Sequence, residues 1–197
     1  MKILLFGGFL GSGKTTTILQ VAKQITEIRG ETAAIIENEI GEAGVDDQLL
    51  LSTGLQIRPL FGGCVCCQIT GDLVAAVNEI QHAINPDWLI IEMTGLAVPG
   101  NVVSQISQYC TDQACFKTVT VVDGARWADL KEVLEPLVVE QVKKSDLIII
   151  NKIDVAAQNV PAIIGDVQSI VGQAPILAAS AAGELPLAVF EEVFRFG

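Results

Sequence analysis

The chain has 197 residues, half of them hydrophobic but only 5% aromatic, and a formal net charge of −11. That acidity argues against nucleic acid or an anionic membrane as the main partner. No apolar run approaches the roughly 20 residues of a membrane-spanning helix. The length suits a single domain over residues 1–197, with a core of Ile, Val, Leu and Ala. The short apolar start runs straight into a glycine-rich turn, unlike a secretory leader, so a cytoplasmic location is expected. In that compartment the five cysteines are not expected to form disulfides.

The first predicted strand, Lys2–Phe6, leads into Gly8-Phe9-Leu10-Gly11-Ser12-Gly13-Lys14-Thr15, and a helix is expected over Lys14–Arg29, closed by Gly30. Strand, glycine-rich turn and helix are the context that a G-x-x-x-x-G-K-S/T phosphate loop requires. Gly8, Gly11, Ser12, Gly13 and Thr16 would wrap phosphate with main-chain amides. Lys14 would reach the β- and γ-phosphate oxygens and act in catalysis, while the Thr15 hydroxyl would hold Mg²⁺. A second strand, Thr32–Glu37, precedes Asn38–Asp47, a polar segment rich in carboxylates that lies where a first switch would lie. An Asp there could complete the Mg²⁺ shell or orient the attacking water, and Asp46 is preferred to Asp47.

A third strand is expected over Gln56–Leu60 and a helix over Thr70–Ala83, with Thr70 as its N-cap. Between them, Gly63-Cys64-Val65-Cys66-Cys67 gathers three of the five cysteines. Thiolates so spaced can converge on Zn²⁺ or a similar cation, leaving an open coordination position; buried structural thiols or a redox pair are the other readings. The strand Trp88–Glu92 ends in a carboxylate placed to hold Mg²⁺ opposite Thr15, and the following Gly95 amide is placed to sense a γ-phosphate. A helix over Asn101–Tyr109 and a strand over Lys117–Asp123 come next, then a helix over Leu137–Lys144. Cys110 and Cys115 read as packing thiols, and His82 as a surface or packing residue.

Leu147–Asn151 is a further buried strand, with Asn151-Lys152-Ile153-Asp154 at its end. N-K-x-D is the guanine reader of P-loop GTPases. The Asp154 carboxylate would accept from guanine N1–H and the 2-amino group, Asn151 would contact the base edge, and the Lys152 stem would lie beside the ring. Adenine offers neither donor, so such a site discriminates by about 10⁴ or more. A helix over Pro161–Val171, a strand over Pro175–Ala178 and a helix over Leu187–Phe194 complete the chain, and Ser180-Ala181 is placed to support the base. Alternating strands and helices predict an α/β fold, a three-layer, doubly wound, mostly parallel sheet of the P-loop NTPase type. The motifs fall at strand carboxyl ends, where open α/β sheets bind ligands.

The succession Gly-Phe-Leu-Gly-Ser-Gly-Lys-Thr-Thr, Glu-Asn-Glu-Ile-Gly-Glu with Val-Asp-Asp-Gln-Leu-Leu, Gly-Gly-Cys-Val-Cys-Cys, Glu-Met-Thr-Gly-Leu-Ala-Val-Pro-Gly and Asn-Lys-Ile-Asp resembles the CobW/HypB/UreG family of SIMIBI-class GTPases. Within that family the Cys-x-Cys-Cys motif resembles the CobW branch, and the resemblance runs from Met1 to about Ser180. It implies a slow GTPase using GTP and Mg²⁺ that helps deliver zinc, or cobalt or cobalamin, to a client metalloenzyme or corrinoid protein. By position, Lys14, Thr15 and Glu92 match the phosphate and Mg²⁺ residues, and Asn151, Lys152 and Asp154 the guanine reader. Cys64, Cys66 and Cys67 match metal-binding cysteines. Glu37 and Glu42 match carboxylates that join a cysteine at a metal site in YjiA-like members, so Glu37, Glu42 and Cys66 form an alternative site. CobW-like proteins usually continue into a C-terminal domain, and a compact GTPase module lacking it is expected here. Relatives that pair across the nucleotide imply a GTP-dependent homodimer. A GTP-switched regulatory module with structural cysteines is the rival reading, and a small-molecule kinase a remote third.

Overall fold

In the computed structural model, residues 1–37, 55–59, 68–109 and 115–196 are described. Seven strands, β1 (Lys2–Gly7), β2 (Ala33–Glu37), β3 (Leu55–Pro59), β4 (Trp88–Glu92), β5 (Cys115–Asp123), β6 (Leu147–Asn151) and β7 (Ile176–Ala178), form one sheet in the order β3-β2-β4-β1-β5-β6-β7. Each pairing between them is parallel, beyond the expected mostly parallel sheet. The central strand β1 lies between β4 and β5, so the phosphate loop that follows it opens between two other strand ends.

Side-chain alternation along the strands divides the core into two faces. Leu4, Phe6, Ile35, Ile90, Val121 and Ile149 point to one face, covered by α1 (Lys14–Lys23) and α7 (Leu187–Phe194). Ile3, Leu5, Ile36, Leu89 and Ile91 point to the other, under α2 (Gln68–Ala83) and α3 (Pro99–Tyr109). Farther along that second face, Val122, Ile148 and Ile150 lie under α4 (Trp127–Lys143) and α6 (Val160–Val171). Both faces being covered explains why the strands read as continuous aliphatic runs. Among the described residues, no helix is long and apolar enough to cross a membrane.

Four local expectations change. The first helix is α-helical only to Lys23 and then widens into a π-helical turn, Gln24–Ile28, before Gly30 at φ +67°. The helix expected over Leu137–Lys144 starts ten residues earlier, at Trp127. Leu134 breaks helical geometry just before Pro136, and only the segment after that kink was legible. Helix α2 starts at Gln68, so Thr70 lies inside its first turn and is not the N-cap. A short helix, α5 (Ile153–Ala156), follows the Asn-Lys pair.

Candidate nucleotide site

The first turn of α1 has no side-chain cap and no acidic residue, and its N-cap, Gly13, adopts the left-handed conformation at φ +95°. A helix start of this kind suits an anion, which the helix dipole favours there. Gly13 is required sterically too, because a Cβ at that position would lie 2.1 Å from Asn151 Nδ2. Inside the loop the buried Ser12 hydroxyl has no hydrogen-bond partner among the described residues. A buried polar atom of this kind fits a loop built to enclose phosphate oxygens. Lys14 is buried and its Nζ donates to the Phe9 carbonyl at 3.2 Å across the loop. Thr16 is exposed on the first turn.

At the far end of the loop, Thr15 Oγ1 donates to Glu92 Oε1 at 2.7 Å. Parallel pairing places Phe6 opposite Glu92, which brings this buried carboxylate to the loop's exit. A hydroxyl and a carboxylate in contact beside a phosphate site form the hard oxygen set that Mg²⁺ prefers. Glu37 ends β2 in register with Glu92, so two carboxylates occupy neighbouring strand ends.

The segment after Glu92 folds directly onto the phosphate loop. A Cβ on Gly95 would lie 2.6 Å from Leu10 N, so only glycine permits this approach. The buried Gln141 of α4 holds the segment, its Nε2 donating to the Gly95 carbonyl at 2.9 Å and the Ala97 carbonyl at 3.1 Å.

The base end is equally connected. Asn151 is buried; its Nδ2 donates to the Ser12 carbonyl at 2.8 Å, and its Oδ1 accepts from the Ala181 amide at 2.8 Å. Asn151 thus braces the phosphate loop against the segment after β7. Ser180 Oγ donates to Asp154 Oδ1 at 2.6 Å, orienting the exposed carboxylate. Lys152 sits at φ +64°, and its Nζ reaches Asp123 Oδ2 at 2.9 Å.

Asp123 was not singled out from sequence, although it carries the signal that drew attention to Glu92: an apolar strand ending in a carboxylate. Its Oδ2 also accepts from Arg126 Nε at 2.7 Å, and Arg126 Nη2 donates to the Leu10 carbonyl at 2.6 Å. Burial pushes the Asp123 carboxyl up, but Lys152 and Arg126 outweigh it and hold its pKa below the ordinary 3.8. Arg126 and Gln141 carried no sequence signal, because their roles depend on tertiary contacts.

A family model for the CobW/HypB/UreG nucleotide-binding domain matches residues 2–178. The chain belongs to this family. Zinc chaperone YjiA of Escherichia coli (strain K12) is 33% identical over 166 residues, covering 80% of this chain and 51% of the relative. Zinc chaperone CobW of Sinorhizobium sp is 30% identical over 213 residues, covering 92% and 59%. The chain therefore spans between half and three-fifths of these curated relatives. Among solved structures, Zn(II)-bound YjiA GTPase from E. coli aligns with a TM-score of 0.71 at 24% identity, covering 98% of this chain and 61% of that one. Hydrogenase maturation factor HypB from Archaeoglobus fulgidus aligns with a TM-score of 0.71 at 18% identity, covering 98% and 86%. These likenesses establish the fold of the CobW-family domain as that of P-loop GTPases.

The fold brings Gly8, Gly11, Ser12, Gly13, Lys14, Thr15, Glu92, Gly95, Asn151, Lys152, Asp154, Ser180 and Ala181 to the carboxyl ends of β1, β4, β6 and β7. Glu37 lies at the end of β2, one strand from Glu92. Asp46, Glu42, Cys64, Cys66 and Cys67 lie outside the described residues, as does Cys110. Cys115 is exposed at the first position of β5 and is not the packing thiol expected, because the buried run begins two residues later. His82 is exposed in the last turn of α2, as a surface residue.

Proposed function

We propose that this CobW-family domain binds GTP with Mg²⁺, hydrolyses it slowly, and uses its two nucleotide states to hold and release a transition-metal ion for a client metalloprotein. The supporting observation is one connected set of contacts. It runs from Thr15–Glu92 at the phosphate end, through Ser12–Asn151–Ala181, to Asp154–Ser180 at the base end. A purine and its phosphates would span this set, with Asp154 reading the guanine edge and the loop amides and Lys14 holding the phosphates. Thr15 and Glu92 would hold Mg²⁺, which neutralises phosphate charge when bound. Gly95, whose carbonyl accepts from Gln141, would respond to a γ-phosphate through its amide on the second switch segment. Asp46 is proposed to assist the attacking water.

Zinc is the favoured cargo because both cited relatives carry the name zinc chaperone, with Cys64, Cys66, Cys67, Glu37 and Glu42 as candidate ligands. Cobalt or a corrinoid client is the alternative cargo assignment. Exposed Leu10 and Leu96, at one lip of the site, suit pairing of two copies across the nucleotide.

Phosphate release from GTP with and without Mg²⁺ tests the enzymatic step. Titrating Zn²⁺ into the GDP and GTP-analogue forms tests the coupling. A difference of about 5- to 150-fold is expected, corresponding to roughly 1–3 kcal/mol. Equal affinities in the two forms would reject metal gating and favour a regulatory module with structural cysteines.

A further inference from the structure

Gln20 lies on α1, just under two turns beyond Lys14, on the same helix that supplies the phosphate-binding amides. Its side chain is half-buried and, among the described residues, hydrogen-bonds one partner segment, residues 181–185. Nε2 donates to the Ala181 carbonyl at 3.0 Å and the Gly183 carbonyl at 2.8 Å, and Oε1 accepts from the Leu185 amide at 2.9 Å. Both amide hydrogens and one oxygen lone pair are therefore used on main chain, an arrangement that fixes a loop and not merely a side chain.

The clasped loop adjoins both polar residues of the base reader. The Ala181 amide donates to Asn151 Oδ1, and its neighbour Ser180 orients Asp154. The other main-chain ties of residues 179–183 are Ala179 N to Ile150 O at 2.9 Å, Gly183 N to Ser180 O at 3.2 Å and Ile153 N to Ala179 O at 3.5 Å, and none of these three reaches α1. Gln20 thus hydrogen-bonds the base-side loop directly to the phosphate-side helix.

We propose that Gln20 is a positioning residue for guanine selection, setting the distance between the phosphate anchor and the Asp154 carboxylate. The assignment rests on reading Asn151–Asp154 as the guanine reader. Selection by a carboxylate needs it within hydrogen-bond reach of N1–H and the 2-amino group while the phosphates are seated. A shift of about 1 Å in such a placement can cost about 100-fold. Among the described residues the side-chain hydrogen bonds of Gln20 go to Ala181, Gly183 and Leu185 on the base side, so its loss is expected to fall on the base and to spare the phosphates.

The test compares GDP, IDP and ADP in competition against a fluorescent GDP analogue, for wild type, Gln20→Ala and Gln20→Glu, with thermal unfolding alongside. Gln20→Glu fills the same volume and keeps the acceptor for Leu185 but loses both donors, so it decides the question if Gln20→Ala fails to fold. The GDP-over-ADP and GDP-over-IDP preferences are expected to fall about 10- to 100-fold, with ADP affinity held within about twofold. A purely structural role would lower the affinities together and leave the ratios intact, which would overturn the assignment. If wild type itself binds GDP and ADP alike, the guanine reading falls and this proposal falls with it. A wild-type preference that both variants retain removes Gln20 alone.

Discussion

Replacing Gln141 with leucine isolates the coupling between the α4 layer and the segment carrying Gly95. The substitution keeps volume and burial but removes both donors that hold the Gly95 and Ala97 carbonyls. Each such bond contributes about 0.5–1.5 kcal/mol net, and both carbonyls belong to half-buried residues that regain partial hydration, so a loss of about 1–3 kcal/mol is expected. Denaturant unfolding of the nucleotide-free protein measures this. The functional consequence is separable, because Gly95 is proposed to meet a γ-phosphate that GDP lacks. GDP affinity should stay within about twofold, while single-turnover GTP hydrolysis slows by about tenfold or more as the amide loses its fixed position. A variant that loses stability but hydrolyses GTP at the wild-type rate would show Gln141 to be a strut of the core only. The same would follow if GDP and GTP affinities fell together.

Four further substitutions test the site and one helix outside it. Asp123→Asn should cost about 1–2 kcal/mol at neutral pH, discounted because Lys152 and Arg126 remain partly in water. Since the folded pKa of Asp123 lies below 3.8, its contribution is present above that value and is lost as pH falls through the folded pKa. Wild-type and variant stabilities should therefore converge in acid denaturation, and a constant gap down to pH ~2 would contradict the pairing. Gly95→Ala places a methyl against the Leu10 amide and should weaken nucleotide binding by calorimetry, whereas Gly165→Ala in α6, where a Cβ meets nothing, should stabilise by about 0.5–1 kcal/mol. Thr15→Val removes the hydroxyl that contacts Glu92 and should abolish the Mg²⁺ dependence of nucleotide affinity; an unchanged Mg²⁺ dependence would place the ion elsewhere.

Sequence reasoning succeeded where a single local signal carried the structure. The strand bounds Trp88–Glu92 and Leu147–Asn151 agree with those observed, because aliphatic runs buried on both faces end abruptly at a polar residue. The phosphate loop was legible from its glycines and the helix that follows. Trp127–Leu134 was not legible as helix, because a kink before Pro136 splits α4 and hides its period. Asp123, Arg126, Gln141 and Gln20 escaped notice for another reason. Arg126, Gln141 and Gln20 act through main-chain partners far away in sequence, so neither identity nor spacing marks them out. Asp123 could have been recognised by applying the Glu92 criterion to every strand end.

The placement of Glu37 gives the proposed coupling of nucleotide state to metal affinity a physical route. Glu37 and Glu92 are register partners on β2 and β4, so their Cα atoms are about 4.8 Å apart and their side chains share a face. Glu92 already contacts Thr15 at the phosphate loop, and Glu37 leads directly into the segment that holds Glu42 and Asp46. Two unit charges about 5 Å apart at an effective dielectric of about 20 interact by roughly 3 kcal/mol, comparable with the coupling that gating requires. A cation held by Glu92 should therefore weaken a second cation drawn to Glu37, without any large movement of the chain. Glu37→Gln tests this by Zn²⁺ titration in the GDP and GTP-analogue states. The ratio of affinities between the states should contract toward one while Mg²⁺-dependent GTP hydrolysis continues. A wild-type ratio in that variant would mean that the coupling runs through the switch segments alone and not through the paired strand ends.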